Sequence, residues 1–550
     1  MTPFAELPVP GGGALADWWL HLAAAPGRQA ELARLAFGQG ARAVQALAGA
    51  TVIEPAPQDR RFADPAWQAP PWHALSQCFL LQQQWWQQAC SGVPGVGRHH
   101  EQMVAFAARQ WLDMLSPSNF VLTNPVVRQR TLREGGRNLL RGLAQVTQDA
   151  LHEGADRPPP GAEAFEPGRQ VALTPGRVVL RNRLVELIQY APATPRVQAE
   201  PVLLVPAWIM KYYVLDLSPA NSLVKFLVDQ GFTVFALSWK NPDPGDRDLG
   251  MDDYARLGVL DALQAIEAIV PGAAVHACGY CLGGTLLSTV AAWLARHAPG
   301  RLKSVTLLAA QTDFAEPGEL ALFIDEDQVE RLAQSMRLRG TLDKRQLAGA
   351  FQLLRSNDLV WSRRVRELLL GERPPMTDLM AWNADGTRLP CRMHLEYLRG
   401  FYLHNALARG EWRVEGEPVH LMDLHVPVFS VATLQDHVAP WRSVFRLQSL
   451  CDADQTFVLT AGGHNVGIVN PPGDARASYR LRHLPPGAPR LGPDDWLAAT
   501  PVSAGSWWTA WADWLVRHSS RRRVVPPPLG DAASGHPALD DAPGRYVHQR

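Results

Sequence analysis

Apolar side chains near the start of the chain recur at helical spacing, as at Leu15, Trp18, Trp19 and Leu22, so each turn has one apolar and one polar face. Residues 100–115 and 129–151 are rich in helix formers and extend this pattern. The periodicity predicts a mostly α-helical domain over residues 1–165. Its apolar faces serve either packing between helices or docking on an apolar surface, and the sequence leaves both open. The run Arg157-Pro158-Pro159-Pro160-Gly161 reads as a linker.

From about Val171 the pattern changes to short apolar runs at 201–206, 233–238, 274–278, 304–309 and 426–432. Helical stretches such as 219–230 and 253–270 lie between them. That alternation is expected of a mostly parallel sheet with helices on both faces, and it makes residues 166–550 an α/β domain. No clear strand falls between Leu308 and Val426, so residues 320–410 are assigned to a cap inserted between two sheet strands. Trp507, Trp508, Trp511 and Trp514 suit one buried helix face, and a Pro-rich, irregular end follows.

Composition narrows the function classes. The chain has 550 residues, 47% of them apolar and 19% charged, as in globular proteins. Lys+Arg and Asp+Glu both number 53, which argues against broad attraction to nucleic acid or an anionic membrane. No run reaches the roughly 18 apolar residues of a transmembrane helix. The opening residues lack a basic segment, and Asp17 and His21 interrupt their apolar stretch, so no secretion signal is expected. Six scattered cysteines suit a reducing compartment, and a cytoplasmic location follows.

The chemistry centres on Gly279-Tyr280-Cys281-Leu282-Gly283-Gly284, which follows the run Val275-His276-Ala277-Cys278 and opens a helical pattern. Strand, tight turn and helix make a nucleophile elbow, with Cys where Ser is usual, and predict an α/β-hydrolase fold. A side chain at position 279 or 283 would crowd the turn against its neighbours. The helix N-terminus favours an anionic nucleophile at Cys281. In this fold the chain order is nucleophile, acid, histidine. Asp436 follows the apolar run 426–432, and His464 follows Phe457-Val458-Leu459-Thr460, so both stand where that order requires. Asp313 is a rival acid and His437 a rival base. The oxyanion donors are expected to be the backbone N–H groups of Leu282 and of Ile209, with Trp208 as the alternative to Ile209. Cys278 and Cys281 also form a C-x-x-C, which in other settings marks a redox pair or half a zinc site. No second such pair appears.

These residues, with dispersed motifs from about Arg60 to Val547, resemble the polyhydroxyalkanoate synthases, or poly(3-hydroxyalkanoate) polymerases. The motifs include Arg61-Phe62-Ala63-Asp64-Pro65, Lys211-Tyr212-Tyr213-Val214-Leu215-Asp216, Ser238-Trp239-Lys240-Asn241-Pro242, Trp382-Asn383-Ala384-Asp385 and Asp436-His437-Val438-Ala439-Pro440-Trp441. The resemblance implies that Cys281 carries the acyl group, that His464 is the general base and that Asp436 is the third member. It implies 3-hydroxyacyl-CoA as substrate with no separate cofactor or metal, a homodimer, and association with polyester granules in the cytoplasm. The Gly-Tyr-Cys-Leu-Gly-Gly wording is more similar to the single-subunit, short-chain type. Met210 stands where the family usually has Asn, and Gln311-Thr312-Asp313-Phe314 also departs from its wording. A thioesterase or depolymerase using the same triad, and a granule-binding protein without activity, are the alternative readings.

Overall fold

The computed structural model describes residues 12–56 and 58–550. Residues 1–11, which open the stretch tested above for a secretion signal, lie outside the described residues, as does residue 57. The chain divides into two compact units, Met1–Pro160 with Arg345–Pro375, and Gly161–Lys344 with Met376–Arg550.

The first unit is helical, with Gly12–Ala23, Pro26–Leu47, Trp72–Ala89 and Arg98–Leu115 as its longer early helices. The single helix expected over 129–151 is instead two, Pro125–Arg133 and Arg137–Gly154. Gly135 and Gly136 between them take φ of 57° and 83°, a left-handed turn that no α-helix continues through. Phe62, Trp67, Phe79, Leu80 and Leu112 form a buried cluster. Arg61 lies beside it, bonded to Asp59 at 2.6 Å and Asp113 at 3.2 Å. Ser356 Oγ donates to the other oxygen of Asp113 at 2.8 Å, and Asn138 Nδ2 donates to the Leu369 carbonyl at 2.7 Å. Residues 345–375, within the interval set aside as a cap, thus pack on the amino-terminal helices.

The second unit is built on an 11-stranded sheet. In chain order its strands are β1 (Gly176–Arg181), β2 (Val185–Tyr190), β3 (Val202–Val205), β4 (Val234–Trp239), β5 (Val275–Tyr280) and β6 (Leu302–Leu308). They continue with β7 (Val428–Thr433), β8 (Gln455–Thr460), β9 (Ser478–Leu484), β10 (Val502–Ala504) and β11 (Asp540–Asp541). The order across the sheet is β10-β9-β8-β7-β6-β5-β3-β4-β2-β1-β11. Strands β4, β3, β5, β6, β7 and β8 are parallel, and the outer strands on both sides are antiparallel. Every residue of β3, β4, β5, β7 and β8 is buried, as a sheet covered on both faces requires.

The helix Trp507–His518 lays its four tryptophans into this core, each almost wholly buried. Buried indole N–H groups need acceptors, and these find Gly467 O, Ile468 O and Thr306 Oγ1, each at 2.9 Å, from Trp507, Trp508 and Trp511. Two of the three hold the loop just past His464. The Pro-rich end is not merely irregular. Its β11 pairs with β1, and Glu186, with no exposed side-chain surface, accepts the N–H groups of Arg545 and Tyr546 at 2.9 Å.

Candidate active site

Cys281 is the one residue between β5 and the helix Leu282–His297, and it takes φ 51°, ψ −122°. Its N–H donates to the Leu308 carbonyl at 2.8 Å, and its carbonyl accepts from Gly284 and Thr285. A β-carbon at Gly279 would lie 2.7 Å from the Gly283 carbonyl oxygen, and one at Gly283 would lie 2.5 Å from the oxygen of Pro206. The turn closes this tightly only because both positions lack side chains. The backbone beyond β3 therefore lies directly against the elbow.

Asp436 follows β7 in a loop that fixes its carboxylate. Oδ1 accepts the N–H groups of Val438 and Ala439 at 2.9 Å, and Oδ2 accepts the Thr433 hydroxyl at 3.0 Å. The same Oδ2 stands 2.7 Å from His464 Nδ1. Burial favours the neutral acid, but the His464 imidazole and these hydrogen bonds hold the Asp436 carboxyl below its usual range. Burial likewise favours neutral imidazole. The Asp436 carboxylate, then Cys281, outweigh it and hold His464 well above its ordinary value. Nδ1 is engaged by the acid, which leaves Nε2 for the sulfur. A thiol, an imidazole and a carboxylate so arranged can act as nucleophile, base and orienting acid.

Asp313, the rival acid, is occupied elsewhere. Its carboxylate accepts from Arg446 Nε at 2.6 Å, Asn405 Nδ2 at 2.9 Å and the Ala315 N–H at 2.8 Å. Cys278, the other half of the C-x-x-C, is buried inside β5, and all six cysteines are free thiols. Burial pushes the Cys278 thiol far up, away from thiolate.

The loop 206–210 that was expected to supply the second oxyanion donor is held by backbone contacts. The Thr387 hydroxyl donates to Trp208 O at 2.5 Å, the Thr387 N–H donates to Ile209 O at 3.2 Å, and Met210 bridges to Gly386. Leu282 N–H is the first of the elbow helix, where backbone donors have no partner within the helix.

Several site residues escaped the sequence. Tyr280 lies tilted beside His464, with ring centres 5.6 Å apart, and its hydroxyl donates to Asn465 Oδ1 at 2.6 Å. Burial raises the phenols of Tyr397 and Tyr402, which stand 5.7 Å apart, ring centre to ring centre. With Phe314 and Phe401 they form an aromatic cluster, Phe314 standing 5.0 Å from Tyr402 and 5.5 Å from Phe401. The available signal was the spacing of Tyr397, Phe401 and Tyr402 on one helical face, which also describes ordinary core packing. Among the described residues no group of three or more His, Cys, Asp or Glu is placed to hold a metal ion. No helix among them is long and apolar enough to cross a membrane.

A family model described as the poly-beta-hydroxybutyrate polymerase (PhaC) N-terminus matches residues 58–227, and an alpha/beta hydrolase fold model matches 200–471. The poly(3-hydroxyalkanoate) polymerase of Methylorubrum extorquens is 40% identical over 502 residues, covering 91% of this chain and 82% of that protein. The chain belongs to the poly(3-hydroxyalkanoate) polymerase family. The family's PhaC subunit from Rhizobium etli is 37% identical over 534 residues, covering 95% of this chain and 83% of that protein. That of Cupriavidus necator is 36% identical over 500 residues, with 89% and 83% covered. The polymerase-family chain is thus an acyltransferase with an α/β-hydrolase fold.

Proposed function

We propose that the protein polymerises 3-hydroxyacyl-CoA, of the short-chain kind such as 3-hydroxybutyryl-CoA, into polyhydroxyalkanoate with release of CoA, carrying the acyl group on Cys281. The observation that carries this reading is the 2.7 Å contact of His464 with Asp436, in a chain whose elbow turn between β5 and its helix presents Cys281. His464 takes the thiol proton, and the Cys281 sulfur attacks the thioester carbonyl. The oxyanion forms against the N–H groups of Leu282 and Ile209. The carbon–sulfur bond to CoA then breaks, and CoA leaves with the proton from His464. One thioester replaces another, so the acyl group remains activated. The 3-hydroxyl of a second unit attacks next, His464 takes its proton, an ester forms, and the proton returns to the Cys281 sulfur. Asp436 steadies the imidazolium at both stages.

Polymerisation requires that a hydroxyl rather than water reach the acyl-enzyme. The aromatic cluster of Phe314, Tyr397, Phe401 and Tyr402 is our candidate for that barrier, since packed aromatic rings over a reacting centre disfavour water. No cofactor enters this scheme. We further assign the enzyme to the cytoplasm as a homodimer at the granule surface. Exposed Leu140, Leu143 and Leu151 on the helix Arg137–Gly154 are consistent with contact to an apolar polymer.

The test is incubation of the purified protein with 3-hydroxybutyryl-CoA, which should release CoA and form insoluble polyester. Release of free 3-hydroxybutyrate without polymer refutes the reading. Cys281→Ala should abolish the labelled acyl-enzyme.

A further inference from the structure

Lys211 directly follows the loop 206–210, and only 3% of its surface is exposed. Its Nζ donates to the Gln549 carbonyl at 2.7 Å and the Tyr546 carbonyl at 3.1 Å. Those acceptors are themselves held in place. The Tyr546 hydroxyl donates to Asn182 O at 2.6 Å, Val547 is buried in the core, and Gln549 Oε1 accepts the Asn241 N–H at 2.9 Å. On the other side the Lys211 carbonyl accepts Trp382 Nε1 at 2.7 Å. A buried ammonium is costly unless its donors are met, so residues 546–549 and the backbone at Lys211 are bound to keep one spacing. Nearby, Asp385 accepts the Tyr213 hydroxyl at 2.9 Å and supplies the neighbouring negative charge.

We infer that Lys211 is a positioning residue for acyl transfer: its ammonium ties residues 546–549 to the loop 208–210 and so sets where the Ile209 N–H stands relative to Cys281. The inference rests on the proposed function, in which that N–H meets the oxyanion. Thr387 holds the loop by Trp208 O and Ile209 O, and β3 fixes its start. Lys211 fixes its end. A donor is useful only within about 2.7 to 3.1 Å of the developing charge, so a loop released at one end loses stabilisation of the transition state while the thiol and imidazole stay in place.

The experiment compares the full-length wild type with Lys211→Met, Lys211→Arg and Gln549→Ala. CoA release from 3-hydroxybutyryl-CoA gives kcat and KM, and iodoacetamide alkylation reports Cys281 with His464 but needs no oxyanion donor. Lys211→Met should lower kcat by about tenfold or more, with KM and alkylation each within about twofold of wild type. Lys211→Arg should recover most of the loss. Gln549→Ala, a partly exposed site whose change does not threaten folding, should lower kcat by about threefold. Wild-type kcat in both Lys211→Met and Gln549→Ala overturns the inference, as does a parallel fall of alkylation and kcat, which marks general loosening. A wild type that alkylates normally but releases no CoA overturns the functional reading instead.

Discussion

Replacing Gly283 by Ala tests the claim that the elbow and the backbone at the end of β3 are packed against each other. The added β-carbon would sit 2.5 Å from the Pro206 oxygen and closer still to that of Val205, where ordinary contact begins near 3.4 Å. The shortfall is about 0.9 Å at the Pro206 oxygen and about 1.3 Å at the Val205 oxygen, which would lie 2.1 Å away, and neither obstacle is a flexible side-chain end. Either the end of β3 with the loop beyond it, or the first turn of the elbow helix, must move by about an ångström. Overpacking of this kind costs about 1–3 kcal/mol of stability. A 1 Å misplacement at a reacting centre costs roughly 10²-fold in rate, or about 2.7 kcal/mol of transition-state stabilisation. Gly463→Ala is the matched control, because it adjoins His464 but its nearest neighbour would be the Gln435 oxygen at an ordinary 3.7 Å. Turnover and denaturant unfolding of both variants supply the measurement. Gly283→Ala should lose about two orders of magnitude in kcat, and Gly463→Ala should stay within about threefold. Wild-type turnover in Gly283→Ala, or equal damage in both, would refute the packing argument.

Asp436→Asn should cut turnover by about 10²- to 10⁴-fold. Because folding raises the His464 value, the stability it supplies is full below its unfolded value near 6.5 and is lost as pH rises through the raised one. The stability gap between wild type and Asp436→Asn should therefore narrow as pH rises into the alkaline range, and a pH-independent gap would contradict this. Asp313→Asn, which loosens the Arg446 and Asn405 contacts but leaves His464 its acid, should cost less than about tenfold in kcat. A loss as large as that of Asp436→Asn would reverse the assignment of the acid. Burial, opposed by Asp385, pushes Lys211 down to about 8 from the usual 10.5, so between those values the unfolded chain binds the extra proton and stability rises with pH. Unfolding curves should show wild type gaining about 3 kcal/mol on Lys211→Met across that window. Parallel pH profiles would exclude it.

Much of this was legible because the physical causes are local. The inner strands are buried on both faces, so they read as mostly apolar runs. The order of Cys281, Asp436 and His464 follows from the order of those strands. Strand β9 was not legible, because Arg480, Arg482 and His483 break any apolar run in a strand that is only partly buried. The apolar positions of 345–375 show that a face is buried but not against what, and its partner proved to be the amino-terminal helices. Tyr397 and Tyr402 were hidden for a related reason, since an aromatic face beside a nucleophile has the same pattern as one inside a core. Gly135-Gly136 was a readable break that the helix formers on either side outweighed.

The return of residues 345–375 to the amino-terminal helices bears on how the chain is made. Emerging from the ribosome, residues 1–160 lack Ser356 beside Asp113, and the helix Arg137–Gly154 lacks the Leu368 backbone on which Gly142 rests. Domains usually complete themselves in order of synthesis, yet here the first unit must wait until most of the sheet of the second has been translated. Severing the chain at Pro160 would accordingly not free a finished module, and each half would retain a surface built to be covered by the other's polypeptide.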